Sequence, residues 1–281
     1  MANVQQLPHL IKLLDDDSPL VRENVLRALD AYGESLEQAV RQLNVSLTGV
    51  QDSVLRPVLR KQRLLLLKAS WPGWTKIRGD KRKLERALML IAGIESGQER
   101  SSTIPILLDR FAHEFRRSHT SITALTLLQF LFHENCLKGV PKEEYYNPLN
   151  SNLVYVIEKK QGIPISLVSI YILVGHRLGL EIEGCNLPGH FLAIAHTAGR
   201  DLVVDCYNGG RLLHQEDLSG MNTTVTLNDI LNLECRASDI VARVLRNLIN
   251  AYRQSGDDAT ANGVADLLPG TGPHQTTTPS P

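Results

Sequence analysis

The chain has 281 residues, 43% of them apolar, enough to bury a full core in one large domain or two smaller ones. Its 30 lysines and arginines balance 30 aspartates and glutamates, so no global field draws in nucleic acid or an anionic membrane. Four cysteines, Cys136, Cys185, Cys206 and Cys235, show neither CxxC spacing nor the density of a disulfide scaffold and are expected to be reduced thiols.

The opening residues, MANVQQLPHLIKLLDDD, lack the basic leader, apolar stretch and small-residue cleavage site of a secretory signal, so a cytoplasmic location is expected. Residues 4 to 44 read as two or three amphipathic helices. Leu7, Leu10, Ile11 and Leu14 share one face, and Val21, Val25, Leu26 and Leu29 share another. Ser18 is a candidate N-cap with Pro19 at the first helical position. The string LPHLIKLLDDDSPLVRENVLRALDAYG resembles a single HEAT-type repeat. From Arg56 to Arg86 eleven basic residues face two acidic ones around LLLLK and WPGW. A phosphate-binding patch with Trp71 or Trp74 stacking on a base is one reading; a solvated basic face with WPGW as a turn is the stronger one.

Helical spacing resumes from Lys81 to Ala92 and continues in Thr103 to Arg117 and Ser121 to Phe132. His113-Glu114 and His133-Glu134 do not extend to a second histidine four residues on, where Arg117 and Leu137 stand, so no metal site is indicated. Glu143 to Asn152 reads as a loop, with Asn150 or Ser151 capping a helix that ends at Gly162. The stretch from Gly162 to Gly175 is apolar and free of charge, shorter than a membrane span; Pro164 to Leu178 is expected to be the most buried helix. Two strands are expected behind it, Phe191 to His196 and Asp201 to Asp205. A turn around Gly199 that pairs residue 192 with 205 makes His190 and Asp205 diagonal neighbours on one face, and a slip of one residue separates them. After the turn CYNGGRLL, a helix from Arg236 to Ser255 carries Ile240, Val244, Leu248 and Tyr252 on one stripe and stops at Gly256, with a weaker helix to Leu268. LRNLINAYRQSGDDATANGVADLLPG resembles one TPR-like hairpin, and the remaining tail is expected to be disordered.

The run YYNPLNSNLVYVIEKKQGIPISLVSIYILVGHRLGL, followed by GCNLPGHFLAI and VVDCYNGGRLL, resembles the transglutaminase-like domain of SirB-type proteins, bacterial proteins in which TPR-like helices often follow such a core. NS-x-L, GIP-x-S-L, PGHFL and D-x-x-NGG carry the resemblance together. It implies an α+β, papain-like transglutaminase fold, mainly helical, with a central helix packed on a small antiparallel sheet. The expected organisation is a HEAT-like segment over 1–55, a basic linker over 56–83, the transglutaminase-like domain over 84–235, a TPR-like hairpin over 236–268 and a tail over 269–281. The resemblance puts the superfamily's catalytic histidine on His190 and its acid on Asp205. Its Gly-x-Cys falls on Gly162, Ile163 and Pro164, so Pro164 occupies the place of the nucleophilic cysteine.

A thiol enzyme of this kind needs a thiolate at a helix N-terminus, an imidazole base and a group that holds the imidazole. His190 and Asp205 are expected to hydrogen-bond beneath the head of the central helix, with Asn186 and Asn208 lining the same cleft. The leading expectation is a non-catalytic module that binds a protein or peptide, without cofactor, nucleic acid or membrane. The alternative is a hydrolase or acyl transferase acting on amide bonds through Ser166 or Cys185 as substitute nucleophile.

Overall fold

The computed structural model of the protein describes residues 4–43, 46–187, 189–219, 226–231, 233 and 235–269. The chain divides into two compact units, Met1–Ser70 and Trp71–Pro281. Except for Pro269, the tail expected to be disordered lies outside the described residues.

The first unit consists of helices α1 (Leu7–Lys12), α2 (Pro19–Asp30), α3 (Ser35–Gln42) and α4 (Gly49–Ser70). Their apolar spacing turns Leu7, Ile11, Leu14, Val25, Leu29, Leu36 and Leu55 into one buried cluster. Pro19 starts α2 with Ser18 at the cap position, but the Ser18 side chain makes no capping bond; its backbone N–H donates to Asp16 Oδ1 at 2.8 Å. Part of the basic stretch is neutralised here, Lys61 by Asp30 at 2.7 Å and Arg63 by Glu37 at 2.9 Å.

The second unit opens with a 3₁₀ turn, Trp71–Lys76, that contains WPGW; Trp71 Nε1 donates to the Leu267 carbonyl at 2.9 Å. Helices α5 (Asp80–Ser101), α6 (Ile104–Ser118) and α7 (Ala124–Leu128) follow, the last running on as a π-helical turn, Gln129–Glu134. Strand β1 (Lys138–Gly139) pairs in parallel with β2 (Gln161–Gly162), and between them lies α8 (Leu153–Lys159). The helix expected to run to Gly162 thus stops at Lys159. Lys160 turns left-handed at φ 57°, and the cap is Asn152, whose side chain accepts from Val154 N, rather than Asn150 or Ser151.

Helix α9 (Pro164–Arg177) organises the unit. Every residue from Ile165 to Gly175 is buried, the pattern of a helix that is apolar all round and sits in a core; each of its Ile, Leu and Val side chains contributes roughly 1.5–3 kcal/mol. Arg177 ties its C-terminal end to α5 through Glu85 at 2.7 Å and to α6 through Asp109 at 2.6 Å, a cation where the helix dipole favours one.

Behind α9 stands a four-stranded antiparallel meander of β3 (Ile182–Leu187), β4 (His190–Ala195), β5 (Leu202–Asp205) and β6 (Arg211–Leu213). Strands β3 and β6 were not expected. The polar Glu183 and Asn186 interrupt the apolar pattern of one, and the other has three residues behind a glycine turn. One face of the sheet meets α9. A Cβ on Gly175 would lie 2.5 Å from Ile182 Cδ1, so a larger residue there would displace the Ile182 side chain at the approach of helix to strand. The other face carries Cys185, Leu187, Leu192, Ile194, Val203 and Leu213, packed with Ile230 of α11 (Leu227–Leu231). Burial on both faces explains why FLAIA reads as a continuous apolar run rather than an alternation. Short α10 (Gln215–Ser219) precedes α11, and the chain closes with α12 (Ala237–Gln254) and α13 (Asp258–Ala265) around Gly256 at φ 77°. The fold class is α+β with helices predominating. No helix among the described residues is long and apolar enough to cross a membrane.

Candidate functional site

The head of α9 is fixed by the loop before it, and three asparagines brace that loop. Asn147 Oδ1 accepts from Leu149 N at 3.0 Å, and Asn150 Nδ2 donates to the Glu144 carbonyl at 2.7 Å. Asn152 caps α8 and donates to Ser96 Oγ at 2.5 Å. Ser166 Oγ donates to the Asn150 carbonyl at 2.6 Å, which bolts the first turn of α9 to the loop. Ser166 is 2% exposed; its hydroxyl is a buried, satisfied donor. Ile163 is the extended N-cap, with no side-chain capping bond, and Pro164 is the first helical residue.

The sheet brings His190 and Asp205 to the expected register. Ala193 pairs with Val204 and Ala195 with Leu202, and the same register sets residue 192 against 205. Strand alternation puts both residues on the face that carries Leu187, Leu192 and Val203, opposite the face that meets α9 at Ile182. The expected hydrogen bond between them is not made. Asp205, 6% exposed, accepts instead from Tyr207 N at 3.1 Å, Asn208 N at 3.2 Å and Asn208 Nδ2 at 2.7 Å. The physical reason is the turn that follows: an aspartate side chain accepts readily from amides two and three residues on, and Gly209 and Gly210, at φ of 73° and 74°, continue the turn until Gly210 N donates to the Asp205 carbonyl at 3.0 Å. Three local donors hold the carboxylate, and the side chain of His190, half-buried at the head of β4, bonds none of the described residues.

The thiols are no better placed for nucleophilic work. Cys185 is fully buried, and burial pushes its pKa up to about 11. Burial, then the Asp239 charge, pushes Cys235 up to about 12. Burial, and then the neighbouring Asp205 charge, also raises Cys206. Cys136 is exposed, in the left-handed region at φ 57°.

A pocket does open at the head of α9, and of its wall residues sequence reasoning names only Ser151, as a helix cap, and Ile163, within the Gly-x-Cys position. Ile163, Ser151, Tyr145 and Tyr146 form one side and Asn247 and Asn250 of α12 the other, around about 20 Å³ of free space, enough for one water-sized group. Tyr145 packs edge-on against Tyr146 at 5.4 Å and against Tyr207 at 6.3 Å between ring centroids. Next to them Arg243 Nη1 donates to Asn186 Oδ1 at 2.6 Å. Neither Asn186 nor Asn208, the two expected cleft residues, borders the pocket; one holds Arg243 and the other caps Asp205. A signal for the α12 wall exists in the sequence. Arg243, Asn247 and Asn250 stand at i, i+4 and i+7, a polar stripe on a helix whose other stripe is apolar.

A buried central helix backed by an antiparallel sheet, with histidine heading one strand and aspartate ending the next, is the architecture of a transglutaminase-like domain. The profile of the transglutaminase-like superfamily matches residues 102–246, and the chain belongs to that superfamily. A UPF0162 protein of Xylella fastidiosa (strain 9a5c) is 37% identical over 135 residues, 45% of this chain and 48% of its own length. A UPF0162 protein of Vibrio cholerae is 30% identical over 80 residues, 28% of this chain and 30% of its own. F-box only protein 21 of Mus musculus is 29% identical over 136 residues, 44% of this chain and 21% of that protein. The chain spans about half the length, or less, of these curated relatives. No solved structure matches it.

Proposed function

We propose that this protein is a non-catalytic member of the superfamily, of SirB type, that binds an extended segment of a protein partner at the head of its central helix. The observation that carries the reading is the commitment of Asp205. A carboxylate that is held by its own turn and makes no bond to His190 does not hold that imidazole in the tautomer a nucleophile requires. The rest of the constellation agrees: Pro164 stands where the superfamily's cysteine would, Ser166 is bolted to Asn150, and burial holds Cys185 protonated. Partner binding draws support from the pocket beside Ile163, and from the presence of the shared segment as 21% of a much longer relative named for an F-box. The HEAT-like segment and the TPR-like hairpin are further surfaces for such a partner.

The test is covalent chemistry. Intact-mass analysis after incubation with electrophilic amide and ester probes is expected to show no adduct at Ser166 or Cys185 and no turnover. An adduct that forms quickly and vanishes in a His190→Ala variant would overturn the reading in favour of a hydrolase or acyl transferase.

A further inference from the structure

Between Lys76 and Arg86, where the second unit begins, six lysines and arginines accompany two acids. Both acids are committed elsewhere. Asp80 Oδ2 accepts from Ala237 N at 2.9 Å, at the start of α12, and Glu85 pairs with Arg177 at 2.7 Å. Lys76, Arg78, Arg82 and Arg86 are exposed and Lys83 is half-buried, and none of the five pairs with a carboxylate among the described residues. On the flank of Lys81 the charge is balanced, since Asp239 and Glu183 stand with it around Cys235.

These cations oppose the electrostatics of the helix that carries them. The N-terminus is the positive end of a helix dipole, where a cation destabilises, yet Lys81, Arg82 and Lys83 fill the first turn of α5. Helices α2, α4, α6, α9 and α12 have no lysine or arginine among their first three residues. Leu84, Ala87, Leu88 and Ile91 turn one side of α5 to the core. Arg82 and Arg86 therefore share the opposite side, one turn apart, as a like-charge pair that weakens the helix further. Where a fold breaks such local rules without compensation of its own, the surface concerned is expected to serve function.

We infer that this face of α5 docks an acidic, extended segment of a protein partner, whose carboxylates pair with Arg78, Arg82, Lys83 and Arg86. Alternate side chains of an extended segment repeat every ~6.6 Å, close to the ~6 Å rise between Arg82 and Arg86, so successive carboxylates on one side of the segment meet successive arginines. Nucleic acid carries the same sign of charge, but its bases lack a platform here. Trp74 is 7% exposed, and Trp71 is half-buried with its Nε1 held by the Leu267 carbonyl at 2.9 Å. An anionic membrane lacks an apolar foothold, since no exposed large hydrophobic side chain lies between Leu65 and Ile106 among the described residues. None of the four cations lines the pocket beside Ile163, so this surface is separate from the one proposed above.

The experiment is fluorescence anisotropy of the full chain with labelled acetyl-(Glu-Ser)6-amide and acetyl-(Gln-Ser)6-amide at about 0.15 M salt. The glutamate peptide is expected to bind about tenfold more tightly than the glutamine peptide, a preference that fades as salt rises toward about 1 M. The double variant Arg82→Gln/Arg86→Gln is expected to weaken the glutamate peptide about tenfold, yet to melt at or above the wild-type temperature because the like-charge pair is relieved. Arg117→Gln/Arg200→Gln, which removes the same charge from exposed arginines elsewhere, is expected to leave binding unchanged. Equal binding of the two peptides, binding of neither, or equal losses in the two double variants would overturn the proposal. A lowered Tm of Arg82→Gln/Arg86→Gln would also overturn it, by making these arginines structural. A uridine dodecamer or a phosphatidylserine vesicle that binds through Arg82 and Arg86 more tightly than the glutamate peptide would overturn it in favour of nucleic acid or a membrane.

Discussion

The decision of Asp205 between its turn and His190 can be measured as a stability difference. Replacing Asp205 with Ala removes the acceptor for two backbone N–H groups and one side-chain amide, at 3.1, 3.2 and 2.7 Å. Asn208 is exposed, so water recovers its side-chain amide; the backbone donors behind a 6% exposed residue recover less. Loss of an Asx-type cap costs about 0.5–2 kcal/mol and loss of hydrogen bonds to a charged group about 1.5–3 kcal/mol, so about 2 kcal/mol is expected for Asp205→Ala. For a unit of this size that lowers Tm by about 4–8 °C. His190→Ala breaks no bond to a described residue, and the expected change stays within about 0.5 kcal/mol. The assay is thermal and urea unfolding of both single variants and the double variant. Because the two side chains do not interact, the effects should add within about 0.5 kcal/mol. A His190→Ala variant that loses as much as Asp205→Ala, or a coupling of about 1 kcal/mol or more between them, would refute the turn-cap account and restore the catalytic pair.

Ser166→Ala should destabilise the second unit by about 1–3 kcal/mol, since it leaves the buried Asn150 carbonyl without its 2.6 Å donor; an unchanged melting curve would show that the bolt does not matter. Iodoacetamide at pH 8 should modify the exposed Cys136 in the folded protein and spare Cys185, Cys206 and Cys235, whose buried thiols have raised pKa values; rapid alkylation of any of the three contradicts their placement. Pro164→Cys should yield a thiol that labels faster than Cys185, because a helix N-terminus favours the thiolate, yet without amidase activity; turnover in this variant would mean that His190 can still serve it. At Glu37 burial raises the pKa, but the hydrogen bonds and charges of Arg63 and Arg41 outweigh it and hold the carboxyl below its ordinary value of 4.5. A depressed carboxylate stabilises above the unfolded value and loses that contribution as pH falls through the folded one. Glu37→Gln should therefore melt lower than the wild type at pH 7, with the gap narrowing as pH falls below about 4.5; a gap that does not narrow with falling pH would contradict the ion pairs.

What the sequence determined by itself was whatever depends on near neighbours along the chain. The charge-free run from Gly162 to Gly175 had to become a core helix, because nothing in it can face water. The apolar stripes of α2 and α12 had to bury one side, and Gly256 had to stop α12 because it reaches the left-handed region at little cost. Even the β4–β5 register was legible, since a slip by one residue would exchange its two faces. Tertiary structure alone decided which partner each polar group took. Asp205 had a candidate across the strand in His190 and another three residues ahead in Asn208, and the turn that starts at Asp205 itself settled it by presenting the amides of Tyr207 and Asn208. Ser166 became a bolt because the loop around Asn150 arrived over the head of α9. The pocket needed Ser151 and Asn247, nearly a hundred residues apart, on facing walls. Hydrogen bonds are short and directional, and which donor comes within reach of which acceptor is set by packing that no local pattern encodes.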